Sequence, residues 1–539
     1  MNTKTKVIYT CIAMLILSLQ IFDSKAQQLP DNLKEIVINR KVSDYSDTFD
    51  LKTPFSSFLT LTCLRINGND SLFKDMSSLS VQGKWRPIKT ISEKEKKSLL
   101  ETTIHKILIY KDTVAAVIVD NAGFFTFWCL YFERGVWLNA GEAIGGNSVL
   151  ETQKIFLENA PIHLDFIRKI AQLEKVSTDT LAFIDYLKNH KKQPKEFLID
   201  VLKTHKIVLY GEIHFREISW NLMRELIKLP EFHQVTGTVF LELSSSCQSE
   251  LDIFFNNQTK KDPNIILNIF RKEEMRGWND KGMYEFLLDL WEVNKQLPAK
   301  KKIKVIATDF PRPFYSTITS KEQYTNFFND LPDRNVSMAT IIENHIKSSS
   351  DKRNCLFIVG YAHAYKSAAL LRGGFQRTGQ SAGALLVERF SKNEVFSIFT
   401  HSPIITNNGY VQGKLRKGLF DYVFAELGNK PVAFSLHNNP FGHELFDASL
   451  EICFQMSTKT FEDNFDGYIF LAPLSEELVR PPLYELYTDD FILEIKRRAT
   501  IINAENGDFY GMKMKDLDRS RLILELEYET GNKRWKNID

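Results

Sequence analysis

From Lys206 onward, short apolar runs alternate with longer stretches of helical spacing, and that alternation predicts a βαβ chain built on a parallel sheet. The runs at 207–210, 238–241, 303–307, 356–359, 395–399, 432–436 and 468–471 read as strands, as does 385–387. Between them, 216–229, 248–255, 265–270, 283–295 and 337–346 carry apolar residues at helical spacing. Before this region the pattern differs. The runs 58–66, 107–110, 114–119 and 124–132 are β-branched or aromatic and separated by turn signals, with Asp120-Asn121-Ala122-Gly123 marking a hairpin. The fold class predicted is α/β, a mainly parallel sheet flanked by helices, preceded by a small α+β domain.

The predicted order is a small domain over 27–174, a helical linker over 175–205, the α/β domain over 206–490, and a charged helical extension over 491–539. Lys188, Lys191, Lys192 and Lys195 make the linker read as a solvated helix. The Gly-rich segment 141–146 lacks both G-x-G-x-x-G spacing and a Walker lysine, so it reads as a plain loop.

Composition narrows the functional classes. At 539 residues with 43% hydrophobic and 25% charged residues, this is an ordinary globular composition too long for one core. Residues 1–26 combine Lys4 and Lys6, an apolar stretch, and Ser24-Lys25-Ala26 before Gln27, the order of a secretory signal peptide. Its removal leaves a chain of near-zero net charge, with no electrostatic case for nucleic acid and no later membrane span. An exported protein, periplasmic or secreted, is expected, with a small molecule or peptide as its partner. Five cysteines remain after Cys11 leaves, odd in number and widely spaced, so free thiols are expected rather than a disulfide framework.

The candidate chemistry lies where four predicted strands end. The first runs into Gly211-Glu212-Ile213-His214, the second into Glu242, the third into Thr308-Asp309, and the fourth into Gly360-Tyr361-Ala362-His363. A strand buried on both faces is apolar throughout, so an ionisable group at four successive strand ends is informative. Side by side, they would put two histidines and three carboxylates on one rim, in the crevice where open α/β sheets bind ligands. Glu212 and His214 could serve as orienter and general base, or as metal ligands. The chain offers neither a G-x-S-x-G nucleophile nor an H-E-x-x-H zinc helix, which leaves attack by water.

These pieces, with Trp278-Asn279, Trp291 to Asn294 and Asp333-Arg334 in their order, resemble the erythromycin esterase and ChaN-like superfamily over residues 203–475. The Tiki/TraB proteins are distantly similar. The resemblance implies an esterase-type site of Glu212, His214, Glu242 and His363, with Arg334 or Arg216 as the arginine and His214 activating water. This sequence spaces Glu and His two apart rather than three, as in the ChaN-like lipoproteins that bind haem. Tiki-type members use a divalent metal to cleave peptides. Two functions therefore stay open: a hydrolase acting on an ester, lactone or amide, and a haem- or divalent-metal-binding protein. For the second, His214, His363, Glu212 and Asp309 are the candidate metal ligands and Tyr361 the aromatic residue beside a haem.

Overall fold

The computed structural model describes residues 32–45, 50–78, 91–121, 123–257, 259–273, 275–312, 317–329, 331–367, 369–371, 378–405, 411–448, 459–476, 482–502, 508–509, 512–513 and 517–530. Residues 1–26, expected as a signal segment, the expected cleavage position and Cys453 lie outside these residues. Among the described residues the chain divides into two compact units, 32–78 with 91–164, and 165–530.

The first unit is an antiparallel sheet whose five strands lie in chain order: β1 (Leu33–Lys41), β2 (Thr103–Tyr110), β3 (Val114–Asn121), β4 (Phe124–Glu133) and β5 (Val136–Ile144). Each neighbour pairs with the next, as hairpin connections favour. Two expectations fail here. Residues 58–66 are not a strand but most of helix α1 (Pro54–Ile66). Thr53 caps it by accepting from Ser56 N, Pro54 fills the first turn, and Phe58, Leu61 and Leu64 fall on its buried side. Residues 141–144 are not loop but the end of β5. Helix α1 packs with Ile104, Ile107, Val117, Trp128 and Leu130 in one apolar core, and α2 (Glu93–Glu101) begins at a Ser92/Glu95 capping box.

The second unit carries a seven-stranded sheet. Its strands are β6 (Ile207–Glu212), β7 (Thr236–Ser244), β8 (Lys304–Asp309), β9 (Asn354–Gly360), β10 (Val395–Thr400), β11 (Val432–Ser435) and β12 (Gly467–Phe470). The order across the sheet is β11-β12-β10-β6-β9-β7-β8. All pairs are parallel except β11 with β12, so one antiparallel strand closes an edge. Every residue of β6, β7 and β10 is buried, as expected for strands covered on both faces.

Helices α3 (Pro194–Thr204), α4 (Glu217–Leu226) and α5 (Lys281–Gln296) contribute Phe197, Leu202, Trp220, Met223, Phe286 and Leu290 to the core on one side. Residues 194–204, expected as part of a solvated helix, thus use their apolar face to build this core. The same holds beyond 490, where Phe491, Ile495, Leu522 and Leu526 join the same cluster. Elsewhere in the unit aromatic rings cluster: Phe399 meets Phe446 and Phe461 edge to face at 5.8 and 5.7 Å and lies tilted against Phe465 and Tyr468 at 5.1 and 5.5 Å. Residues 385–387, expected as a strand, belong to helix Ala382–Arg389, which starts where Ser381 Oγ accepts from Ala384 N. Cys63, Cys129, Cys247 and Cys355 are free thiols. Among the described residues, no helix is long and apolar enough to cross a membrane.

Candidate active site

The sheet order brings the four ionisable strand ends together. β9 lies between β6 and β7, and β8 follows β7, so the C-terminal ends of β6, β9, β7 and β8 are consecutive. Glu212 is opposite Gly360 in the ladder. The β7–β8 register shifts between Leu241 and Ser244, a bulge that covers Glu242 and re-aims its carboxylate.

Glu242 is the hub. Its Oε1 accepts from Arg334 Nη2 at 2.6 Å and its Oε2 from Gly360 N at 2.8 Å. The same Oε1 lies 3.6 Å from His214 Nε2 and 3.5 Å from His363 Nε2. Burial alone would push this carboxyl up. The Arg334 guanidinium and His214 outweigh burial and hold it well below the usual carboxylate range.

His214 leaves β6 in a tight turn. Its Nδ1 donates to Glu212 Oε1 at 2.6 Å, and its side chain keeps 32% exposure. The next residue, Phe215, holds φ at +71°, a conformation costly for an aromatic side chain, of order 1–3 kcal/mol. Phe215 and Trp278 flank the imidazole, with Trp278 edge-on to it at 5.1 Å. Burial would lower the His214 pKa, but Glu212 and Glu242 raise it to about 10, so the ring is an imidazolium at neutral pH.

His363, one turn beyond β9 in helix Tyr361–Ala364, is its opposite. Burial pushes its pKa down to about 4, against the pull of Glu242. Its Nδ1 lies 2.7 Å from Asn335 Oδ1, which also accepts from Ala382 N. An amide oxygen can only accept, so Nδ1 carries the proton and Nε2 a lone pair, which faces Arg334 Nη1 at 3.4 Å. The two histidines of the rim therefore differ in charge, His214 positive and His363 neutral at pH 7.

Two glycines make the packing possible. A Cβ on Gly360 would stand 3.1 Å from the His214 ring and 3.3 Å from Glu242 Oε2. One on Gly211 would come within 2.8 Å of the Ile398 carbonyl and 3.2 Å of Tyr361.

The remaining candidates separate. Of the two candidate arginines, Arg334 is the one hydrogen-bonded to Glu242, while the Arg216 charge is supported by Glu212. Arg216 is buried and donates to the His401 carbonyl at the end of β10. Asp309, expected among metal ligands, is instead held as an ion-pair partner: Arg334 reaches both its oxygens at 2.7 and 2.6 Å, Arg312 Nη2 donates at 3.0 Å, and Phe310 N at 2.8 Å. The positive charge between Glu242 and Asp309 is thus a guanidinium. Among the described residues, no group of three or more His, Cys, Asp or Glu side chains could hold a metal ion. Asp309 has both oxygens engaged by Arg334, whereas Glu212 Oε2 is buried without a hydrogen-bond partner among the described residues and His214 Nε2 has only the 3.6 Å contact to Glu242. Tyr361, half-buried, packs edge-on against Tyr365 and Phe399 and donates to the Ala448 carbonyl at 3.4 Å.

Asn335, Arg312, Phe215 and Phe310 escaped the sequence reading. Asn335 and Arg312 sit one and three residues from residues already singled out, but nothing in their local pattern marks them. Phe310 lies under both guanidiniums, 4.6 Å from Arg312 and 5.9 Å from Arg334, a contact made only by folding.

Fold and site together define an α/β protein with a Glu/His/Arg crevice at the C-terminal edge of its parallel sheet. No family model and no curated protein matches the sequence. Solved structures show distant likeness. A protein from Bacillus cereus aligns at 12% identity over 55% of this chain and 98% of its own, with a TM-score of 0.37. An erythromycin esterase variant in its open conformation aligns at 13% identity over 52% and 93%, with a TM-score of 0.34. The ChaN protein of Campylobacter jejuni, described with cofacial haem binding, aligns at 17% identity over 39% and 86%, with a TM-score of 0.26.

Proposed function

We propose that the chain is an exported hydrolase of the erythromycin esterase and ChaN-like kind, which uses the Glu242-centred crevice to drive water onto an ester, lactone or amide carbonyl. The observation that carries this reading is the pair of histidines within 3.6 Å of one Glu242 oxygen, one charged and one neutral. Titratable groups pushed apart in this way supply an acid and a base in one site.

The assignment reverses the sequence expectation, which made His214 the base. A ring already protonated at neutral pH cannot take a proton from water. His363 Nε2 has the lone pair and receives it, while Asn335 holds the ring in that tautomer. His214 and Arg334 present positive N–H groups to the oxyanion, and His214 can return a proton to the leaving group. Glu212 fixes the His214 ring, and Glu242 holds all three cationic or basic partners around one point. Phe215 and Trp278 form an apolar wall beside the reacting carbonyl.

The test is turnover of esters, lactones and capped peptides by wild type, His214→Gln and His363→Asn, with metal and haem quantified in each preparation. Loss of turnover in both variants with unchanged metal and haem supports the proposal. Turnover that survives in both, or haem or metal lost together with the histidines, overturns it. Export is tested by sequencing the N-terminus of the secreted protein, which should begin at Gln27.

A further inference from the structure

The first unit has a cavity of about 430 Å³ between α1, α2 and the sheet. We propose that it is a second binding site, for an extended, uncharged peptide segment that presents a backbone amide beside an apolar side chain.

The strand period builds its floor. Phe124, Thr126 and Trp128 alternate onto one face of β4, and their ladder partners Ile144 (opposite Thr126) and Glu142 (opposite Trp128) share that face. Helix α1 covers this face at Trp128 and leaves its end uncovered, with Phe124 70% and Ile144 77% exposed. Phe58, Thr62 and Arg65 of α1 and Ser98 and Leu99 of α2 form the walls. The volume falls within the range of small-ligand sites, and the lining is mixed, with Phe58, Leu99, Val119, Phe124 and Trp128 beside seven polar residues.

Those polar groups specify the chemistry. Arg65 lies over the Trp128 ring, its guanidinium carbon 5.9 Å from the centroid. Among the described residues its side chain makes no hydrogen bond, and its nearest anionic oxygen, Glu142 Oε2, is 3.7 Å away. Trp128 is 5% exposed, lines the cavity, and likewise spends its indole N–H on no described residue. Glu142 Oε1 accepts from Thr126 Oγ1 at 3.1 Å, while Oε2 faces Arg65 without a hydrogen bond. Around Trp128 the cavity thus offers two donors with capacity to spare and, beside them, one acceptor, while farther along the lining Asn121 donates to Ser98 Oγ at 2.7 Å. Arg65 and Glu142 cancel in charge, so an anion would be repelled by Glu142 and a cation by Arg65. A neutral amide satisfies both: its carbonyl accepts from Arg65 and Trp128, and its N–H donates to Glu142 Oε2. Its apolar neighbour covers Phe124 and Ile144.

Saturation-transfer NMR on the full chain tests this with N-acetyl-phenylalaninamide, a capped apolar pentapeptide, and 3-phenylpropionate. Transfer to the two amides, stronger for the pentapeptide, and little to the carboxylate is the expected result. Arg65→Gln and Glu142→Gln should each weaken amide binding about tenfold, the order expected for one hydrogen bond to a charged group. Phe124→Ser, at an exposed rim position with little part in folding, should weaken it without altering the circular dichroism spectrum. No transfer to either amide, preference for the carboxylate, or binding undiminished in all three variants overturns the proposal. Activity at the Glu242 crevice is independent of these variants, so this outcome and that of the proposed hydrolase are separable.

Discussion

Arg334 Nη2 donates to Glu242 Oε1 at 2.6 Å and thereby ties the first turn of helix Arg334–Ser348 to the bulged end of β7. The same guanidinium holds Asp309 at the end of β8, so one side chain neutralises two buried carboxylates on adjacent strands. Removing it leaves both uncompensated. Arg334→Ala should destabilise the second unit by about 3–5 kcal/mol, the cost of breaking a buried pair. Urea unfolding at pH 7 measures this. A loss under 1 kcal/mol would mean that water replaces the guanidinium and that the cluster is not buried in solution.

His214→Gln and His363→Asn keep hydrogen-bonding capacity but lose the proton-transfer groups. Each should lower turnover by about 10²- to 10⁴-fold, the range typical of acid–base groups. The pH–rate profile distinguishes their roles. Wild type should rise through about pH 4, where His363 becomes a base, and fall through about pH 10, where His214 loses its proton. His363→Asn should lose the acid limb alone. If instead the acid limb stays and the alkaline limb vanishes in that variant, the two assignments are exchanged.

Stability should follow the same two groups with opposite signs. The His363 pKa is lowered by folding, so its contribution is present above the unfolded value of 6.5 and is lost as pH falls through about 4. The His214 pKa is raised, so its contribution is full below 6.5 and is lost as pH rises through about 10. Unfolding free energies across this range should therefore decline on both sides. His363→Asn should flatten the acid side and His214→Gln the alkaline side.

Gly360→Ala places a methyl 3.1 Å from the His214 ring and 3.3 Å from Glu242 Oε2. The ring must give by a few tenths of an ångström, which disturbs its placement beside Glu242. The His214 pKa should fall from about 10 toward its ordinary value, and turnover should drop by about 10²-fold, as misplacement of a reacting group does. NMR titration of the His214 ring reads the first effect. An unshifted titration would show that Glu242 does not hold the imidazolium.

The local pattern of the chain determined the βαβ texture of the second unit, the seven strands of its main sheet, and an ionisable residue at the end of each of four strands. Those features are legible because alternation and apolar run length are local properties of a backbone. The same locality misled at 58–66 and 385–387. Apolar residues there suit a strand or a helix equally, and the caps at Thr53 and Ser381 decide for helix. What only the tertiary structure decided is nonlocal. The sheet order sets β9 between β6 and β7, which makes neighbours of His214, Glu242 and His363 although up to 149 residues separate them. The placing of Arg334 on Glu242, the engagement of Asp309 by arginine, and the different charge states of two chemically identical histidines follow from that arrangement. Charge states depend on burial and on the distance to other charges, and neither quantity is written in the order of residues along the chain.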